Sequence, residues 1–97
     1  MNVVSIFMGN SMYIVDGLRT PFCKMGTDFI DQSPVYLGVS VVKDLLVKTG
    51  INSEDIDEVI FGCVGQPPES MNIARVISVL SGIPEYVPAV SVHRNCA

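Results

Sequence analysis

The sequence predicts an α/β domain whose mostly parallel sheet is joined by helical crossovers, in the order strand, helix, strand, helix, strand. Three observations carry this. Short apolar runs at 12–16, 58–64 and 89–92 lack the polar alternation of a half-solvated strand, so each reads as buried on both faces. Two stretches between them place apolar residues at helical spacing. The connections are long enough for crossovers, which parallel strands require and which are right-handed almost without exception.

Each element has its own signals. Met12-Tyr13-Ile14-Val15-Asp16 is an apolar run closed by Gly17, and Pro21 ends any pairing after it. Residues 24–32 carry Gly26, Asp28 and Asp31 and read as loop. A helix begins at Ser33-Pro34, because serine caps free amides and proline at the first helical position loses no hydrogen bond. Its core face is Val35, Val39, Val42 and Leu46, with Leu45 beside it, and Gly50 supplies a left-handed stop. A capped turn at 53–56 leads into Glu58–Val64, whose neighbouring apolar residues describe a central strand. Pro67 and Pro68 then enforce a loop. From Met71 a second helix sets Ile73, Ile77 and Leu80 on one face and stops at Gly82 before Pro84. Ala89-Val90-Ser91-Val92 is the last strand.

Composition narrows the function classes. The 97 residues are 48% hydrophobic and 16% charged, which suits one compact domain rather than a disordered chain. A formal net charge of −4, with Lys and Arg scattered singly, offers no stripe to neutralise phosphates, so nucleic acid is excluded as a partner. Lys43 and Asp44 interrupt the longest apolar stretch, so no membrane span is expected. The first residues lack the basic segment and cleavage site of a secretory signal, and residues 1–11 are expected to be a frayed extension ahead of a domain at 12–97. Cys23, Cys63 and Cys96 are odd in number and widely spaced, which indicates reduced thiols and a cytoplasmic setting. With His93 they have the right atoms for zinc but not the paired spacing, so no metal is expected.

The closing segment Val92-His93-Arg94-Asn95-Cys96 holds the chemistry. A thiolate is the attacking species of cysteine chemistry, and the positive end of a helix dipole favours it over the thiol. Cys96 follows a strand and stands where a helix is expected to start. Backbone amides at such a junction also steady developing negative charge. In open α/β sheets ligands gather beyond the carboxyl ends of strands, and Cys96 is placed there.

Four segments resemble the amino-terminal part of thiolases: Ile14–Phe22, Asp57–Val64, Asn72–Arg75 and Val92–Ala97, in that order. The resemblance implies a layered α/β fold and an acyltransferase acting on coenzyme A thioesters, with no permanently bound cofactor. It implies that Cys96 takes the acyl group as a thioester, which coenzyme A or an acetyl-CoA carbanion then removes. It also implies that the activating histidine and a second acid-base cysteine lie in later sequence. The chain would then hold the nucleophile half of a site, completed by a homo-oligomer or by a carboxyl-terminal portion. The loop Gln66–Asn72 departs from the glycine-containing loop of many biosynthetic thiolases and leans toward the fatty-acid-degrading branch.

A ketoacyl synthase shares the architecture and a nucleophilic cysteine, but Arg19-Thr20-Pro21-Phe22 and Asn72-Ile73-Ala74-Arg75 weigh against it. A non-catalytic fragment or pairing subunit is the second alternative, because apolar sheet faces are expected to be left uncovered. Cys63 reads as core and Cys23 as a loop residue without a role. His93 reads as a hydrogen-bonded structural residue rather than the base, since strand alternation turns it away from Cys96. Arg75 reads as packing rather than as a phosphate contact. Gly62-Cys63-Val64-Gly65 lacks the Lys-Ser/Thr ending of a P-loop.

Overall fold

The computed structural model describes residues 11–96. The first ten residues, which make up most of the expected extension, lie outside them. The elements are α1 (Pro34–Thr49), a single 3-10 turn (Ser53–Asp55), β1 (Val59–Gly62), α2 (Ile73–Leu80) and β2 (Ala89–Val92). β1 and β2 pair in parallel, with Val59 opposite Ala89 and Gly62 opposite Val92. The expected α/β class with helical crossovers is therefore present from Ser33 onward.

Local chemistry sets the helix ends. Ser33 Oγ accepts from the Tyr36 amide at 3.2 Å, Pro34 opens α1, and Gly50 closes it at φ 70° while its amide donates to the Leu46 carbonyl at 3.0 Å. α2 ends in a Schellman motif, in which Ile83 N donates to Ser78 O at 3.1 Å and Gly82 N to Val79 O at 3.2 Å. Gly82 adopts φ 83°, which a side chain would resist, and the turn delivers Ile83 to the core at 5% exposure.

α1 and α2 both lie on the sheet face carrying Val59, Phe61 and Ala89. Val59, Ile83 and Val87 form the buried cluster, with Val42, Leu46, Ile56, Phe61 and Ala89 packed against it. Ile77 of α2, only 1% exposed, meets α1 at Gly38, where the missing side chain lets the helices approach. The opposite sheet face carries Ile60, Val90 and Val92, which stay substantially exposed. Parallel sheets are normally covered on both faces, so this apolar surface is unusual among the described residues.

Several expectations need correction. Residues 12–16 form no strand: Tyr13, Ile14 and Val15 are exposed and have no pairing partner. An apolar run becomes a strand only when another strand supplies its hydrogen bonds, and the described sheet has two strands. Asp16 is tied instead to its neighbour Gly17 N at 2.7 Å and to Lys48 Nζ at 3.2 Å. β1 is shorter than expected and is not flanked on both sides. Cys63 lies past its end and is half-buried, because the chain bends at 64–65. α2 starts at Ile73 rather than Met71, with Asn72 as its cap. Its buried face is Ile73, Ala74, Ile77 and Ser78, and Leu80, the last helical residue, remains exposed.

Candidate active site at the carboxyl end of the second strand

Two sets of polar ties hold the approach to Cys96. In the first, Asn72 links the start of α2 to β2. Its Oδ1 accepts from Arg75 N at 3.3 Å and from Ser91 Oγ at 2.8 Å, while its Nδ2 donates to Ala89 O at 3.1 Å. Ser91 Oγ in turn accepts from Ala74 N at 3.0 Å, so one inward residue of β2 is bonded directly to a free amide of the helix start. Arg75 Nη1 donates to Glu85 O at 2.9 Å and to Val87 O at 3.3 Å. That guanidinium is engaged by the loop before β2, as the packing reading of Arg75 requires.

The second set lies at the strand ends. Cys63 N donates to Val92 O at 3.0 Å, and His93 Nδ1 lies 3.0 Å from Cys63 O. A carbonyl only accepts, so Nδ1 carries the proton in this bond. His93 is thus hydrogen-bonded to backbone, as expected. Sequence reasoning did not find its partner, because Cys63 lies thirty positions earlier and only the strand pairing brings the two together.

Cys96 follows in a turn at 95–96, exposed to solvent, at φ 54°. Among the described residues it is the one non-glycine residue with positive φ. A side chain in this left-handed region costs about 1–2 kcal/mol, so the turn is a strained one directly after a strand. The helix expected beyond Cys96 lies outside the described residues. All three cysteines are free. Partial desolvation, and then the nearby Asp28 carboxylate, push the Cys23 thiol up, which disfavours its thiolate. Cys63 Sγ sits 3.5 Å from Gly65 O.

Other features lie elsewhere. A surface pocket of about 360 Å³ runs between the 19–32 loop and α1, lined by Arg19, Asp28, Gln32, Leu37 and Asp44 among others. None of its lining residues belongs to the Cys96 turn. Among the described residues no cluster of His, Cys, Asp and Glu is arranged to hold a metal ion, and no helix is long and apolar enough to cross a membrane.

Parallel strands crossed by helices, with a thiol just past a strand's carboxyl end, define the layered α/β class in which thiolases fall. The chain belongs to the thiolase family: residues 12–97 match the family's description "Thiolase, N-terminal domain". It is 47% identical over 89 residues to the 3-ketoacyl-CoA thiolases of Yersinia pestis (strain Pestoides F) and Yersinia pseudotuberculosis (strain IP 31758), covering 92% of this chain and 20% of each relative. The crystal structure of the Bacillus anthracis acetyl-CoA acetyltransferase superposes with a TM-score of 0.78 at 28% identity, covering 84% of this chain and 21% of that one. A thiolase from Ascaris suum in complex with coenzyme A gives 0.80 at 33% identity, covering 84% and 22%. The chain thus spans about one fifth of the length of the proteins it matches.

Proposed function

We propose that this chain carries the nucleophile half of a thiolase-type acyl-transfer site. Cys96 sulfur attacks the carbonyl carbon of an acyl-CoA, the bond to the coenzyme A sulfur breaks, and the acyl group remains on Cys96 as a thioester. Coenzyme A or an acetyl-CoA carbanion then takes it away. Coenzyme A thioesters are substrates in this reading, and no resident cofactor is required. The supporting observation is the placement of Cys96: an exposed thiol in a strained left-handed turn one short step beyond a parallel strand. The names of the Yersinia relatives favour 3-ketoacyl-CoA chemistry, in line with the loop at 66–72. The cytoplasm suits three free thiols.

Acid-base groups for the cycle would come from sequence beyond this segment or from a second subunit. A pairing role without turnover is favoured by a separate observation, the uncovered apolar face of Ile60, Val90 and Val92. One experiment separates the two. The chain is incubated with acetyl-CoA and with a longer acyl-CoA, alone and mixed with the carboxyl-terminal portion of a 3-ketoacyl-CoA thiolase, and adducts are located by intact mass and peptide mapping. Acylation at Cys96 that disappears in Cys96→Ser supports the nucleophile. Label on Cys23 or Cys63 with Cys96 free overturns it, and no adduct in either mixture leaves the pairing role.

A further inference from the structure

We infer that His93 is a positioning residue for Cys96, acting through its Nδ1–H on the Cys63 carbonyl to end the strand ladder and release the chain into the cysteine's turn. The inference rests on the reading of Cys96 as nucleophile for its functional meaning, but its structural content stands on the hydrogen bonds alone.

The Cys63 peptide group is gripped at both ends by the segment that leads to Cys96. Its amide donates to Val92 O at 3.0 Å, which is the regular next bond of the parallel ladder. In a parallel pair, the carbonyl of the same residue accepts from the backbone amide two positions beyond the residue that took the first bond. Here that amide would belong to Arg94. The His93 side chain occupies the acceptor instead, at 3.0 Å. The His93 ring lies where the next ladder bond would approach Cys63 O, and among the described residues the Arg94 amide makes no bond to that carbonyl; the strand stops at Val92, and a turn follows at 95–96 with Cys96 at φ 54°. A buried-strand continuation would instead have kept φ negative and carried Cys96 along the sheet edge. His93 is exposed, so hydrophobic packing does not explain its placement. The bond it makes does.

The role belongs to the δ nitrogen, which gives the inference a sharp test. Asparagine offers an N–H at the δ position, whereas glutamine offers one at the ε position, one bond further out. In the full chain, iodoacetamide alkylation of Cys96 is timed by peptide mapping in the wild type, His93→Ala, His93→Asn and His93→Gln, with Cys23 as internal reference. The same proteins in urea provide the unstructured rate for Cys96. Amide exchange of Cys63, whose N–H bonds Val92 O, is followed in parallel, and far-ultraviolet circular dichroism checks that each variant is folded. In His93→Ala and His93→Gln the Cys96 rate moves roughly two- to tenfold toward the unstructured value and Cys63 exchange quickens by a similar factor, as expected for loss of one hydrogen bond. His93→Asn restores both, and Cys23 is unchanged throughout. Equal Cys96 rates in all four proteins overturn the inference. So does a glutamine variant that matches asparagine, which remains decisive even if the alanine variant fails to fold. These readouts need no acyl-CoA, so failure of the acyl-transfer reading is seen separately, as absence of a Cys96 thioester in a chain whose His93 variants still behave as stated.

Discussion

Replacing Gly38 by alanine sets two effects of known size against each other at one atom. Gly38 lies inside α1, where alanine in place of glycine favours the helix by about 0.8–1.0 kcal/mol. A methyl group there would meet Ile77 of α2: its Cγ1 at 3.1 Å, and its Cδ1 closer still. Ile77 is 1% exposed, so that terminal methyl has no open space to enter and its neighbours must shift. Overpacking of this kind costs about 1–3 kcal/mol, which leaves Gly38→Ala destabilising by about 1 kcal/mol. Ile77→Val removes Cδ1 at a cost of about 0.5–1.5 kcal/mol by itself. In that background the clash is largely gone, and Gly38→Ala becomes neutral or stabilising. Urea unfolding of the four proteins in a double-mutant cycle measures the coupling, with constant m values confirming that the folded and unfolded states are unchanged in extent. An alanine variant that raises the midpoint in the Ile77 protein, or that changes it equally in both backgrounds, refutes the close approach of α1 and α2.

Three further outcomes follow from the structure. Asn72→Ala removes the cap of α2 and both links to β2; because solvent reaches Asn72 and replaces part of what is lost, the cost is about 1–2 kcal/mol, read from the urea midpoint. Gly82→Ala forces a side chain into φ 83° and lowers stability by about 1 kcal/mol or more, whereas Gly65→Ala, with open space around it and no positive φ, changes it little. The bond from Gly17 N, and then Lys48, hold the Asp16 carboxyl below its ordinary value. Between the lowered folded value and the unfolded one the native chain binds fewer protons, so the contribution is complete above the unfolded value and is lost as pH falls through the folded one. The melting difference between wild type and Asp16→Asn is therefore present near neutral pH and vanishes in acid; a difference that persists at pH 2 contradicts the assignment.

Sequence alone determined the features that depend on a few neighbouring residues. Ser33-Pro34 and Gly50 bounded α1, and Gly82 the end of α2, because capping and left-handed stops are local chemistry; the Asn72 cap of α2 is equally local, yet that helix was expected from Met71. The position of Cys96, the proposed nucleophile, directly after the strand 89–92 was legible for the same reason. Only the tertiary structure decided which apolar runs became strands and which polar groups met. Met12–Asp16 has the pattern of a buried strand yet forms none, since a strand's hydrogen bonds belong to its neighbour and not to itself. The bond from His93 to the Cys63 carbonyl and the ties from Asn72 to Ala89 and Ser91 join positions far apart in the chain, and no spacing rule encodes a partner that proximity in space creates.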